Sequence, residues 1–402
     1  MSYRIMPVMG MDNVRPDEAL QVTGDSGRLH VRDAVNVNVS EAGKVSLRNG
    51  SRHVTGTKYE SLWQSPLHND VFGVVSGDLV KVNTADWSHI TIGRVGRNVR
   101  YCLLNNKVCI SSTLGLMLFD GVQLRPLTIE TPPVPKAITG TQGALKVGKY
   151  TIGISWVGDV ESAASESTTV EITGTVDSFD TYASGSIVVE LPTVYDTSVK
   201  AVRVYVSSRD GTQLMQYGEY DSATTTVEIT NVETVTAPMK FSHMTPMPAG
   251  DYLRLWKGRL IVASRNIIRF SEPLAYHIHD ARYGYVAMPQ RVTFIEPVEG
   301  GVWVGQGTHV VFLRGTSPSE FAFELGSNIA PVPNSSILVE SDVTNDASQG
   351  GRWCAMWLSE RGYMIGTPEG QMLEYQSKNL QGITGNDSRT VRIDERVITI
   401  VS

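Results

Sequence analysis

One short unit recurs along this chain and limits what it can fold into: an apolar strand, a polar turn, a second apolar strand, a few small residues and a third strand. Clear copies span Leu103–Phe119, Leu255–Phe270, Val298–Leu313 and Leu358–Tyr375, and a weaker copy spans His68–Val82. Glycine and Asx residues in the turns supply the positive φ that tight hairpins require. A three- or four-stranded unit that recurs every ~40–50 residues is typical of propeller blades. We therefore predict an all-β, β-propeller-like array of repeated hairpins, with about five units and a closing one.

The two ends of the chain are expected to build that closing unit. The run Thr390–Val401 reads as a strand pair or one long strand, and it could pair with the early strands Leu29–Val39 and Lys44–Leu47. Such pairing would remove exposed sheet edges. Helical periodicity is scarce, and the one short helix predicted near the start spans Pro16–Leu20, because Asp17 and Glu18 suit the first turn of a helix.

The repeat is interrupted once by a different strand pattern. The stiff run Thr131–Pro135 begins the interruption, and a Pro-, Met- and Gly-rich stretch at Ala237–Gly250 ends it. Between them lie short alternating segments at Lys149–Val157, Thr168–Thr173, Ser186–Leu191, Ala201–Ser207, Gln213–Tyr220 and Thr225–Thr230. So many short strands in ~100 residues predict an immunoglobulin- or fibronectin-III-like β-sandwich with Trp156 and Tyr205 in its core. The predicted domains are a discontinuous propeller, residues 1–130 and 248–402, and an inserted sandwich, residues 131–247.

Charge and cysteine content narrow the function. The formal charge is −6, from 41 acidic and 35 basic residues, and no Lys or Arg run forms a basic face, which argues against tight sequence-specific DNA binding. Cys102, Cys109 and Cys354 provide no disulfide framework, and Cys102 and Cys109 read as small buried apolar residues. We find neither a signal peptide nor a membrane-spanning stretch in the sequence, so we expect synthesis in a cytoplasm.

The sequence contains few motifs that would indicate a catalytic, cofactor-binding or metal-binding site. No phosphate-binding loop, nucleophile elbow or HExxH motif occurs. His277 and His279, beside Asp280, are the best metal candidates, because imidazoles two positions apart share one face of a strand. No Cys or Glu cluster announces the remaining ligands, so we interpret them as solvated or subunit-contacting residues. We expect a protein that is not an enzyme, with no catalytic, cofactor-binding or metal-binding residues and no cofactor.

A carbohydrate-active propeller is the alternative from another class. Glycosidases use a pair of carboxylates, and Asp12 and Glu272 are the pair that would serve here in a central funnel. Neither lies in a recognisable glycosidase motif, and both suit turn or cap positions. Trp256 and Trp357 occupy equivalent places in two repeats, where we expect their rings to wedge between blades rather than to stack on sugars.

Several phrases of the sequence resemble those of tailed-bacteriophage structural proteins. The run at Leu29–Gly50, LHVRDAVNVNVSEAGKVSLRNG, is similar to their opening line, in which an R-D-A-x-N-V-x-V phrase precedes a turn and an R-x-G motif. Ser61-Leu62-Trp63 and Ile268–Pro273, IRFSEP, look like later phrases of the same proteins. The resemblance covers most of the chain, including the sandwich, and points to the β-propeller nozzle and tail-tube proteins of short-tailed phages.

The resemblance implies a virion structural protein of the tail, made in the host cytoplasm. It implies a homo-oligomeric ring, with a hexamer favoured, that contacts portal-proximal adaptor proteins and tail fibres. Genomic DNA would pass through the ring without sequence-specific binding. The chain is shorter than the larger nozzles, and no catalytic residues carry over. The alternative is a carbohydrate-binding or carbohydrate-active propeller at the tail tip that acts on host surface glycans.

Overall fold

A computed structural model describes residues 7–20, 29–40, 42–50, 52–67, 69–173, 185–344, 352–393 and 396–402. These residues form an all-β fold, as predicted, and helical geometry among them is limited to 3-10 turns at Asp17–Ala19, Pro318–Glu320 and Ser341–Thr344. The first of these turns is the helical turn expected near Pro16. Position 68, where the weakest repeat copy begins, lies outside the described residues. The helical turns among the described residues contain three or four residues each, and none of them could span a bilayer.

The N-terminal segment forms two small sheets. A parallel pair joins β1 (Val8–Met11) to β2 (Leu29–Val31), and an antiparallel pair joins β3 (Val37–Val39) to β4 (Val45–Leu47). We call the second pair the N-terminal hairpin.

Two four-stranded antiparallel sheets follow, which we call blades 1 and 2. Blade 1 contains β5 (Glu60–Gln64), β6 (Val71–Val75), β7 (Asp78–Val82) and β8 (His89–Arg94), and blade 2 contains β9 (Arg100–Leu104), β10 (Lys107–Ser112), β11 (Gly115–Phe119) and β12 (Leu124–Pro126). Each strand pairs with the next one along the chain. The turns Ser76-Gly77 and Asn105-Asn106 have positive φ at both positions, which matches the right-handed twist of the strands they join.

The inserted segment folds into two antiparallel sheets that face each other. Its strands are β13 (Lys136–Leu145), β14 (Gly148–Val157), β15 (Thr168–Ile172), β16 (Gly185–Glu190), β17 (Ala201–Ser207), β18 (Leu214–Asp221) and β19 (Thr226–Ile229). One sheet has the order β13-β16-β19 and the other β15-β14-β17-β18. Buried Ile, Val and Leu residues of both sheets form one core with Trp156. Kinship with fibronectin III domains stays a prediction.

Tyr205 was expected in this core but lies on the opposite face of its sheet. Across the β14–β17 ladder, Ile154 pairs with Val204 and points into the core, so Tyr205 points away from it. Its hydroxyl instead donates a hydrogen bond to Glu161. Alternation along the strand gives the physical reason: a one-residue step reverses the face.

Three more four-stranded sheets, blades 3 to 5, complete the propeller-like body. Blade 3 contains β21 (Tyr252–Trp256), β22 (Arg259–Ser264), β23 (Ile267–Phe270) and β25 (Tyr285–Ala287), with a side pair of β20 (Met244–Pro246) and β24 (Ile278–Asp280). Blade 4 contains β26 (Val292–Val298), β27 (Gly301–Gln306), β28 (Val310–Arg314) and β29 (Ala322–Ser327), and blade 5 contains β30 (Ile337–Glu340), β31 (Trp353–Ser359), β32 (Gly362–Gly366) and β33 (Met372–Glu374).

Apolar clusters between successive sheets give the order of the blades. Separate clusters join blades 1 and 2, 2 and 3, 3 and 4, and 4 and 5. Trp256 is buried between blades 3 and 4, whereas Trp303 and Trp357 pack between blades 4 and 5 with ring centroids 5.5 Å apart. The predicted equivalence of Trp256 and Trp357 is therefore wrong, because Trp256 ends the first strand of its blade and Trp357 lies in the second strand of its blade. The repeat copy at Leu358–Tyr375 begins in the second strand of blade 5, whereas the other three clear copies begin in the first strand of their blades.

The C-terminal run forms its own antiparallel hairpin, β34 (Ser388–Ile393) with β35 (Arg396–Val401). We call it the C-terminal hairpin. It rests on blade 5, because Val397 joins that blade's apolar cluster and Tyr363 is hydrogen-bonded to Thr399. The predicted pairing of this run with the early strands is wrong for the described residues, since each hairpin pairs only with itself. Each hairpin pairs strands that are close along the chain, and closing a short loop costs less entropy than joining distant segments.

Candidate functional site

Polar residues meet at one end of the propeller-like body, where the first strands of several blades begin. Arg100 begins β9, Asp251 precedes β21, Asn334 precedes β30, and Asp387 and Arg389 flank the start of β34. Hydrogen bonds join these residues into one network, which we call the axial cluster. The convergence of strand ends is a common place for binding sites, so this cluster is the first candidate.

Arg100 spans the body from blade 2 to the loop before blade 5. Its Nε donates to the Asp251 carbonyl at 2.8 Å, and its Nη2 donates to Asn334 Oδ1 at 3.1 Å. Its guanidinium lies 5.9 Å from the ring centre of Tyr252. Because blades 3 and 4 come between blades 2 and 5, the bond to Asn334 crosses the axis rather than joining neighbours.

Asn334 is the centre of the network. Its Nδ2 donates to Asp387 Oδ1 at 2.6 Å, and its backbone N–H donates to the Thr293 carbonyl at 3.2 Å. The backbone φ is +60°, a left-handed conformation that asparagine adopts more readily than most residues. The side chain of Asn334 thus connects blade 2 to the C-terminal hairpin, and its backbone N–H connects both to blade 4.

Burial and nearby charges shift the pKa values of two residues in the axial cluster, Arg100 and Asp387. Burial, followed by the nearby charges of Arg389 and Arg254, lowers the pKa of Arg100. Burial alone would raise the pKa of Asp387, but hydrogen bonds from Asn334 and Arg389 and the charge of Arg389 hold it below its usual value. Asp387 is therefore ionised at neutral pH and is poorly suited to act as a general acid.

A buried ion pair joins the first strands of blades 3 and 4. Arg254 of β21 donates from Nε and Nη2 to the two Glu296 oxygens of β26 at 3.0 and 2.6 Å, and Ser336 Oγ donates to Oε1 at 2.7 Å. The Glu296 side chain is 1% exposed and that of Arg254 is 29% exposed. Bidentate contact of this kind fixes both position and orientation. Glu296 thereby holds blades 3, 4 and 5 together.

The predicted carboxylate pair is not assembled. Asp12 is buried in the N-terminal segment, where its Oδ1 accepts the backbone N–H groups of Val14 and Arg15 at 3.1 and 3.0 Å. Glu272 lies in a turn after blade 3's third strand, with its carbonyl bonded to Ala275. No contact joins the two within the described residues. Burial would raise the pKa of Asp12, but those two backbone N–H groups and the Arg15 charge keep it low.

His277 lies in the turn before β24 and His279 lies within that strand, so the predicted shared strand face is not formed, and the two imidazoles have separate partners. His277 Nε2 donates to the Glu161 carbonyl at 2.8 Å, and His279 Nε2 is hydrogen-bonded to Thr245 Oγ1 at 3.0 Å. Burial lowers the pKa of both imidazoles. Among the residues that the structure describes, no group of three His, Cys, Asp or Glu side chains is placed to hold a metal ion. His277 is buried against the sandwich of its own chain rather than solvated.

Polar contacts at Glu161 connect the sandwich to blade 3. The Glu161 carboxylate accepts hydrogen bonds from Ser155 Oγ at 2.7 Å and from Arg203 Nη1 at 2.5 Å, while its carbonyl accepts the bond from His277. Burial, and then the hydrogen bond to Glu161, raise the pKa of Tyr205 to about 12. Nearby, Asp159 pairs with Lys200 and with Arg125 of blade 2. The insertion is therefore tied to two blades.

Sequence reasoning missed the axial cluster. The available signal was weak: a polar residue stands at or just before the first strand of blade 2, blade 3 and blade 5. Nothing in the repeat indicated that those positions would meet, because the residues lie far apart along the chain.

The order of strands within the sheets defines the class: the chain is an all-β, β-propeller-like protein. No protein-family model matches the sequence, and no curated protein matches it. Among solved structures, it is similar to BBS1N in complex with ARL6DN, with 11% identity, a TM-score of 0.34 and coverage of 86% of this chain and 90% of that one. It is also similar to Hsv2p of Kluyveromyces lactis, with 11% identity, a TM-score of 0.29 and coverage of 85% and 89%.

Proposed function

We propose that this protein is a non-catalytic structural component of a phage tail, where copies form a ring around the DNA exit channel. The observation that carries the proposal is the axial cluster, in which polar residues near the starts of the first strands are hydrogen-bonded to one another across the body. Every carboxylate in it, and Glu296 beside it, lies within ion-pair distance of an arginine. Such a network makes a rigid tie between blades and leaves no free acid–base pair.

The geometry also restricts where DNA could pass. The hydrogen bonds of Arg100 and Asn334 cross the axis of the propeller-like body, so the channel would lie between copies rather than through one copy. The tied sandwich would project from each copy toward neighbours or fibres. The resemblance of Leu29–Gly50 to phage structural proteins supports the placement in a virion, and a hexameric ring follows the same resemblance.

The test is deletion of this reading frame from the genome that encodes it. Particles purified from the deletion strain should contain filled or leaking capsids with incomplete tails, and protein supplied from a plasmid should restore complete tails and appear in purified virions by mass spectrometry. Complete, infectious particles that lack the protein would overturn the proposal.

Binding to host surface glycans remains the second candidate, favoured by exposed aromatic residues. Tyr195, Tyr283 and Tyr375 are 89%, 71% and 56% exposed. A glycan array with a hydrolysis readout tests it. Binding that is lost when these tyrosines are replaced by alanine would support this alternative, and a blank array would reject it.

A further inference from the structure

A groove separates the N-terminal hairpin from the C-terminal hairpin. It has a volume of about 460 Å³ and is lined by Val37–Val39 of β3 and Arg396–Ile398 of β35, with Arg48 and Asn49 beside them. Successive side chains of a strand point to opposite faces. Three consecutive residues on each side can therefore border one groove only if the edges of both strands face it.

The backbone of β35 is unpaired on the groove side. Asp387 and Ser402 exchange both backbone hydrogen bonds, at 2.9 and 3.2 Å, next to the end of this hairpin. Bonded and non-bonded pairs alternate in an antiparallel ladder, so Val397 and Thr399 direct their N–H and C=O groups away from β34. In the described part of the chain, β35 has β34 as its single strand partner.

The same alternation applies to β3. The N–H of Ser40 donates to the Lys44 carbonyl at 3.0 Å, and the N–H of Arg48 donates to the Asn36 carbonyl at 2.8 Å. Val37 and Val39 therefore present their backbone groups away from β4. Two unpaired sheet edges face one groove, which is a template for an added strand.

Among the described residues that line the groove, the charged ones are both positive. Arg48 and Arg396 are its charged lining residues, both are exposed, and neither forms an ion pair with any other described residue. Apolar faces flank the groove on both hairpins: Leu47 is 83% exposed, and Ile398 and Ile400 are 37% and 72% exposed. The complementary strand has apolar side chains on one face and carboxylates at the arginines.

We propose that an extended, acidic segment of another polypeptide binds in this groove as an added strand and completes a sixth blade. Its backbone pairs with β35 and β3, its Val- or Ile-like side chains cover the apolar faces, and its carboxylates pair with Arg48 and Arg396. The proposal is independent of the tail function, because it depends on the groove alone.

The test uses two fluorescent peptides and the full-length protein. One peptide alternates Glu with Val, and the other replaces every Glu with Lys. Fluorescence anisotropy should show at least ~10-fold tighter binding of the Glu peptide, equivalent to about 1.4 kcal/mol. The double variant R48E/R396E should reverse that preference, whereas R52E, at an exposed arginine outside the groove lining, should leave it unchanged.

Two further measurements test strand addition itself. V397P removes an outward N–H, leaves the β34–β35 hydrogen bonds in place and keeps an apolar side chain against blade 5, so binding should weaken while circular dichroism stays unchanged. If that variant unfolds, a Glu peptide with N-methylated alternate amides replaces it and should not bind. Hydrogen exchange should show that the Glu peptide protects the outward amides of Val37 and Val39 in β3 and of Val397 and Thr399 in β35.

Several results would overturn the proposal. Equal affinity for both peptides, no binding of either, or full binding by the N-methylated peptide would exclude an acidic added strand. Protection of the outward amides of Val397 and Thr399 in the free protein would mean that the hairpins pair with each other in solution. Protection that rises with protein concentration would identify a second copy as the occupant.

Discussion

Truncation of Glu296 should destabilise the propeller-like body more than its single ion pair suggests. In E296L, the Arg254 guanidinium loses two hydrogen bonds of 3.0 and 2.6 Å and Ser336 loses one of 2.7 Å. Loss of one partner of a buried ion pair costs about 3–5 kcal/mol. The Arg254 side chain is 29% exposed, and water reaching it reduces the expected cost to about 2–3 kcal/mol. R254M should cost more, because it leaves a carboxylate that is 1% exposed.

The double variant R254M/E296L decides between a network and ordinary packing. Since the pair is removed together, its free energy of unfolding should exceed the additive expectation by at least about 2 kcal/mol. Urea denaturation of the wild type, both single variants and the double variant, followed by circular dichroism, measures this coupling. Additive single effects, or a loss below about 1 kcal/mol in E296L, would refute the reasoning that Glu296 holds three blades together.

Three further predictions follow from the same structure. The pKa of Asp387 is lowered in the folded protein, so its contribution of about 1 kcal/mol to the free energy of unfolding is present above pH ~4 and lost as the pH falls through the folded pKa. Unfolding curves of D387N and the wild type should therefore converge in acid. A constant gap between them would contradict this. Burial lowers the pKa of His277, so the junction between the sandwich and blade 3 should become less stable as the pH drops below ~6.5. Proteolysis near residues 236–247 should then become faster in the wild type but not in H277N. Equal acid sensitivity of the two proteins would contradict this prediction. G366A places a Cβ 2.3 Å from the Trp303 ring, so urea denaturation should show a loss of about 1–3 kcal/mol, whereas G56A, with nothing within 4 Å, should be neutral; similar losses would exclude overpacking.

Local patterns in the sequence carried much of the fold. Alternating apolar residues and tight turns predicted blades 2, 3 and 4, because a hairpin is decided by residues that are close along the chain. The turn at Lys257-Gly258, with positive φ at both positions, is one such signal. The hairpins in Leu358–Tyr375 join the second, third and fourth strands of blade 5. The pattern of apolar residues and turns does not distinguish these strands from the first three strands of a blade.

The tertiary structure decided the candidate site and the chain ends. Arg100 and Asn334 are 234 positions apart, and their contact exists only because several sheets between them pack in order. Whether the C-terminal run pairs with β3 or with itself is likewise a choice between two similar ladders, and neither is favoured by its residues. The sequence by itself determined strands, turns and the all-β class, since these depend on local backbone and burial patterns. Only the packed structure decided which charged residues meet, because their partners are set by the arrangement of whole sheets.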